Sequence, residues 1–148
     1  MTVIAVDTNI LVYAHRVDLP FHPVAARRVT ELAEGAGLWG IPWPCVHEFF
    51  AVVTHPRTFR APTPVGQALA FLGALRDSGR CVFMAEPESH WDTLSSLATQ
   101  ADLRGGQIHD ARIAAISLGH GVRELWSADR DFSRYPTLRV RNPLVADF

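Results

Sequence analysis

The sequence predicts an α/β sandwich built on a mostly parallel central sheet. Three observations carry that expectation. Short apolar runs that do not alternate with polar residues recur along the chain, as buried strands do. The stretches between them repeat their apolar residues at helical spacing. Two of the runs end in a carboxylate and a turn, at Val6-Asp7-Thr8-Asn9 and at Ser127-Ala128-Asp129-Arg130. Strands that alternate with helices pair in parallel through right-handed crossovers.

Residues 3–6 read as a central strand, and Asp7, Thr8 and Asn9 supply capping oxygens where it turns into an apolar run at 10–14. Residues 15–21, with Asp18 and Pro20, form a loop. A helix over 22–34 places Ala25, Val29, Leu32 and Ala33 on one face, and Gly35 and Gly37 end it. Residues 38–41 are a short strand, stopped by Pro42 and Pro44. Pro44 suits the first turn of a helix over 43–53 that is apolar nearly all round and therefore expected to be buried. Three prolines and two arginines make 55–64 an irregular loop. A helix over 65–78 carries Val65, Ala68, Leu69, Leu72 and Leu75 inward. Residues 81–84 are a second buried strand. Ser89, with Asp92 as its capping-box partner, opens a helix whose inner face is Trp91, Leu94, Leu97, Ala98 and Ala101. After a break at 104–107, an Ala-rich helix over 108–118 carries Asp110 in its first turn, where the helix dipole favours a negative charge. Residues 124–127 are a further strand. Residues 138–141 form a last one whose alternating charges suit a sheet edge. No repeat or linker interrupts the chain, so one domain over 1–148 is expected.

A length of 148 residues with 48% hydrophobic and 20% charged residues suits one globular core. No apolar run reaches membrane-spanning length, and no basic, apolar and cleavable leader is evident, so a cytosolic chain is expected. Cys45 and Cys81 are too few for a disulfide framework and read as reduced core residues. A net charge of −1 argues against a strongly basic nucleic-acid binder, yet it allows a nuclease whose acidic centre offsets a basic rim. All 14 basic residues are Arg, which suits bidentate phosphate contacts.

Glu48 is the anomaly on its apolar helix, since an ionised carboxylate there needs a cation or strong donors. In a parallel sheet Asp7 and Asp129 share the carboxyl edge where ligands bind. Asp110 opens a helix that can start at that edge, and Glu48 can point there. Four crowded carboxylates cannot all ionise unless something neutralises them. An all-oxygen set with no zinc-type His or Cys spacing favours one or two Mg²⁺ or Mn²⁺ ions. Such ions suit phosphodiester hydrolysis by activated water, with no side-chain nucleophile. Two other classes compete. A silent RNA- or protein-binding module has no reason to crowd four acids. A phosphatase of the haloacid-dehalogenase type needs Asp-x-Asp after the first strand, and Asn9 stands where its second Asp would be.

These residues resemble the PIN-domain ribonucleases, specifically the VapC toxins of type II toxin–antitoxin pairs. The resemblance rests on Val6-Asp7-Thr8-Asn9 with Leu11 and Tyr13-Ala14, then on Glu48. It continues through His109-Asp110-Ala111-Arg112-Ile113-Ala114-Ala115, Ser127-Ala128-Asp129-Arg130-Asp131-Phe132 and the tail from Leu138 to Leu144. It implies a three-layer α/β/α sandwich. It implies an acidic quartet of Asp7, Glu48, Asp110 and Asp129, with Asp7 as the central metal ligand. Asp110 and Asp129 would hold metal directly or through water, Glu48 through water, and Asp131 would be a peripheral ligand or a turn former. Thr8, Asn9 and Ser127 would orient Asp7 from behind; the family often has Thr where Ser127 stands. The resemblance also implies cleavage of structured RNA such as tRNA or rRNA, a homodimer, and a VapB-type antitoxin that blocks the cleft. For RNA contact, Arg16, Arg57, Arg60, Arg104, Arg112 and Arg130 are the candidates. Phe59 is a candidate for stacking on a splayed base, while Trp43 fits core packing better.

Overall fold

The central strand of the sheet, β1 (Ile4–Val6), is three residues long and hands its chain straight to a helix, α1 (Thr8–His15). The computed structural model describes residues 4–146 and 148, so Val3, expected to start this strand, lies outside the described residues. The other elements are α2 (His22–Glu34), β2 (Trp39–Pro42), α3 (Trp43–Val53), α4 (Val65–Arg76), β3 (Cys81–Met84), α5 (His90–Gln100), α6 (Ile108–Gly119), β4 (Glu124–Trp126) and β5 (Val140–Arg141). Short 3₁₀ turns occupy Gly105–Gln107 and Arg130–Arg134.

The strand order is β3-β2-β1-β4-β5, and every pairing is parallel. Ala5 lies between Gly40 and Leu125, so β1 is covered on both edges. From β1 the chain steps outward to β2 and β3, then returns across β1 to β4. With right-handed crossovers, that reversal puts α1 to α4 on one face and α5 with α6 on the other. The result is the expected three-layer sandwich. Its core gathers Ile10, Leu11, Trp39, Ile41, Phe49, Ile116 and Leu125, all at 1% exposure or less. Among the described residues no helix is long and apolar enough to cross a membrane.

Several expectations need correction. Pro42 does not stop β2 but is its last residue, opposite Met84. At the end of a strand a missing N–H costs one bond, and Pro42 then caps α3 with φ −58°. β3 is an edge strand: Cys81 and Met84 are buried, but Val82 is 40% exposed. The inward stripe of α4 narrows to Ala68, Leu72 and Leu75, leaving Val65 and Leu69 outside. This helix packs on α3 and β3 at the sheet's margin, where little protein is left to cover a wider face. Trp91 is 74% exposed, and the inward stripe of α5 narrows to Leu97, with Leu94 and Ala98 half-buried beside it. Ser89 makes no side-chain capping bond.

Candidate active site

The carboxyl ends of β1 and β4 lie side by side, and the chain leaves them toward opposite faces of the sheet. Ligands bind at such a switch point in parallel α/β sheets. Asp7 follows β1 directly and is 5% exposed. As the N-cap of α1 it accepts a bond from the Thr8 N–H on Oδ1 at 2.8 Å. The Ser127 hydroxyl donates to Oδ2 at 2.7 Å. Longer contacts come from Asn9 Nδ2 to Oδ2 and from the Cys45 thiol to Oδ1, both at 3.5 Å. Burial pushes the Asp7 pKa up. The Ser127, Thr8 and Cys45 donors oppose that rise, and the charge of Asp129 adds to it.

Ser127 ties two acids together. Its oxygen donates to Asp7 while accepting from the Asp129 N–H at 3.0 Å and from Asn9 Nδ2 at 3.4 Å. That exhausts a hydroxyl's capacity of one donor and two lone pairs. Asn9 also accepts from the Ala128 N–H at 3.2 Å. Asn9 and Ser127 thus tie the β1 and β4 termini together, and Thr8 holds Asp7 through its backbone N–H alone. Asp129 caps the following 3₁₀ turn, its Oδ1 accepting from the Asp131 N–H at 2.8 Å.

The other two acids arrive from opposite layers. Asp110 is the third residue of α6 and is half-buried. Its pKa is raised by desolvation and then by the charges of Asp129, Asp7 and Asp131, with Arg134 opposing. Glu48 does not sit inside a buried helix, as its apolar neighbours suggested. α3 buries Cys45, Val46, Phe49 and Val53, while His47, Glu48 and Ala51 form an exposed stripe. The Glu48 carboxyl nevertheless feels Asp7, Asp110 and Asp129, which together with desolvation raise its pKa; His109 lowers it. All four acids line one cavity of about 410 Å³, beside Thr8 and Asn9. Asp110, Asp129 and Asp131 can each bring an oxygen within 4.8 Å of the others'. Asp131 is exposed and stands outside the cavity lining, on the Asp129 turn. The donor set is carboxylate throughout and carries mutual repulsion that a hard divalent cation would relieve, so the residues fit such an ion.

The arginines divide. Arg57, Arg60 and Arg130 are exposed. Arg104 is exposed and pairs with Asp102 at 3.0 Å, and Arg112 pairs with Glu86. Arg16 is corrected: its side chain is 10% exposed and its guanidinium is consumed inside the protein, by Asp18, the Ala61 carbonyl and the Thr63 hydroxyl. Trp43 packs edge-on against Phe83, as expected of a core residue. Phe59 lines the acid-bearing cavity. Sequence reasoning missed Arg134, which lies 3.8 Å from Asp131 and opposes the raised pKa of Asp110. The Asp131–Arg134 spacing of three was the available signal.

Comparison with known proteins agrees with this geometry. A family model described as "PIN domain" matches residues 4–138. Ribonuclease VapC43 of Mycobacterium tuberculosis is 37% identical over 141 residues, covering 95% of each chain. Ribonuclease VapC48 of the same species is 30% identical over 137 residues, covering 93% of this chain and 94% of the relative. Among solved structures, VapBC2 from Rickettsia felis bound to a promoter DNA fragment aligns with a TM-score of 0.70 at 18% identity, over 95% of this chain and 98% of that one. The Mycobacterium tuberculosis toxin VapC20, which cleaves the sarcin–ricin loop, aligns with a TM-score of 0.64 at 20% identity, over 88% and 92%. These two share the fold.

Proposed function

The chain belongs to the PIN-domain family, among its VapC ribonucleases, and on that premise we propose that it is a toxin that cuts structured RNA with Mg²⁺ or Mn²⁺ held by its acidic quartet. The observation that carries the metal site is the meeting of Asp7, Glu48, Asp110 and Asp129, drawn from four separate elements, in one cavity at the switch point. A silent binding module gains nothing from such crowding. The full proposal is one PIN domain over 1–148, working in the cytoplasm as a homodimer on tRNA or rRNA and neutralised by a VapB-type antitoxin.

Asp7, Asp110, Asp129 and Asp131 would hold the metal, with Glu48 reaching it through water. When bound, the ion supplies a polarised water and screens the phosphate's charge. Asp7 arrives pre-oriented, because Ser127 and Thr8 hold both its oxygens before anything binds. Glu48, its pKa raised by desolvation and then by three neighbouring acids, is suited to take a proton from the attacking water. Asp7 and Asp129 are kept adjacent by the single Ser127 hydroxyl, so the groups that must flank the phosphate need no rearrangement.

Chelation tests this directly. Purified protein should lose RNA cleavage in excess EDTA and regain it on adding Mn²⁺. Equal cleavage with and without EDTA would overturn the metal mechanism.

A further inference from the structure

The cavity that holds the acids has a second half that hydrolysis does not use. Its wall is Val12, Tyr13, Leu19, Val52 and Phe59, with Thr58 at the rim. Two aromatic rings there are each braced from behind. Tyr13 meets the edge of Phe21 at 5.3 Å and 82°, and its carbonyl pairs with His22 Nδ1 at 2.9 Å. Phe59 lies under the Arg16 guanidinium, whose carbon is 4.0 Å from the ring centroid. That guanidinium is itself pinned. It forms a fork to Asp18 at 2.9 and 2.7 Å, and it donates to the Ala61 carbonyl at 2.7 Å and to Thr63 Oγ1 at 3.3 Å. His15 Nε2 shares the same Thr63 oxygen at 3.0 Å. The braces belong to α1 and the loop after it, while Phe59 belongs to the loop between α3 and α4.

Resting on the ribonuclease reading, we propose that this apolar half receives the nucleobase next to the scissile phosphate, unstacked from its strand and laid against Phe59 and Tyr13. Arg16 is then a positioning residue that sets Phe59, not a phosphate contact. Three facts converge. The apolar wall is continuous with the acids, so a phosphate held there leaves its own nucleotide within reach. Braced aromatic rings accept any base face at small entropic cost, which is how proteins hold single-stranded RNA. And the cation behind Phe59 is already saturated, so it serves the ring rather than the backbone. A base paired in a duplex would have to be flipped out to reach such a pocket, so an unpaired base enters at the lower cost.

The test uses the full chain with Mn²⁺ and RNA hairpins whose loops are randomised. Once the cut bond is mapped, the same hairpin is made with an abasic ribose on its 5′ side or on its 3′ side. Wild-type protein should cut one of the two abasic RNAs about 5- to 100-fold less efficiently than the parent, the range expected for one base–aromatic stack. Phe59→Ala should lose a similar factor on the parent and no longer distinguish parent from abasic RNA. Arg16→Ala should show part of that loss, mainly in KM, with an unchanged slope of log KM against log salt. Arg16→Lys should not restore it, since an ammonium cannot make the fork to Asp18. Cleavage of both abasic RNAs at the parent's rate overturns the base pocket while leaving the nuclease reading intact; the apolar wall would then serve a protein ligand. Discrimination that survives in Phe59→Ala also overturns it. Absence of any Mn²⁺-dependent cleavage removes the ribonuclease reading, and this inference falls with it.

Discussion

Asp7 and Asp110 carry the same carboxylate into the same cavity, yet they are held in opposite ways. Asp7 is almost wholly buried and has donors on both oxygens. Asp110 is half-open, and what surrounds it is charge: Asp129, Asp7 and Asp131 against it, Arg134 for it. One acid is fixed by the framework. The other is half-open and held among charges. In the proposed metal site the strand end would provide the rigid reference ligand, and a helix start and a 3₁₀ turn would provide the less constrained ones.

The largest expected effect follows from that asymmetry. Asp7→Asn keeps the shape and removes the reference charge, so kcat/KM on RNA should fall about 10³-fold or more. The melting temperature of the metal-free protein should hold or rise, because burial already disfavours the charged form. Asp110→Asn should lose less, and added Mn²⁺ should recover part of it. Equal losses that metal does not rescue would mean that both acids are equally fixed, and the contrast would be gone.

Next comes the hydroxyl behind Asp7. Ser127→Ala removes one of Asp7's two short donors and the acceptor of the Asp129 N–H, and should cost about 10- to 100-fold in activity or metal affinity. Ser127→Thr keeps the oxygen and should recover most of it. A Thr variant as poor as the Ala variant would show that space, not the hydrogen bond, matters at this buried position.

The cavity acids should also show in the pH dependence of stability. Asp7, Glu48 and Asp110 all have folded pKa values raised above their ordinary ones. The folded, metal-free chain then binds more protons than the unfolded chain, so their contribution is fully present at low pH. It is lost as pH rises from about 4 through the raised values. The Asp18 pKa is lowered by its bond to Arg16 and works in the opposite sense. The useful quantity is therefore the difference between variants. Melting curves of metal-free wild type should fall with rising pH more steeply than those of Asp7→Asn, and saturating Mn²⁺ should flatten the wild-type curve. Parallel curves would mean that Asp7 carries no strain.

The contrast also explains what could be read in advance. Asp7 and Asp129 were legible because an unalternating apolar run followed by a capping residue is a local pattern. Asp110 was legible as a first-turn acid. Glu48 was chosen for the wrong reason. Its helix looked apolar all round, but Ala51 is exposed and Val52 is apolar because it lines the cavity beside the acids. Periodicity does not tell a wall that faces a cleft from one that faces the interior. The pinning of Arg16 was illegible, since its partners Ala61 and Thr63 lie 45 and 47 residues away along the chain. Phe59 was readable as a stacking candidate, yet its pairing with Tyr13 in one wall depends on a distant loop meeting α1. For Asp131, local sequence shows a turn former, while its closeness to Asp110 is a tertiary fact.

The smallest effects concern the basic rim, and they extend the same distinction between fixed and adjustable groups to the cations. An arginine that neutralises a phosphate steepens the salt dependence of RNA binding by about one unit of log–log slope, and its removal takes that unit away. Arg57 and Arg130 are exposed and sit in segments that flank the cavity, so each alanine variant should flatten the slope while leaving the cut site unchanged. Arg112 and Arg104 are already paired with carboxylates and should change it less. Arg16 should leave it untouched, because its charge is spent on Asp18 and its ring contact on Phe59. If Arg16→Ala flattened the slope as much as Arg130→Ala, the guanidinium would have to leave Asp18 when RNA binds. Arg16 would then belong with the adjustable groups around Asp110 rather than with the fixed frame around Asp7.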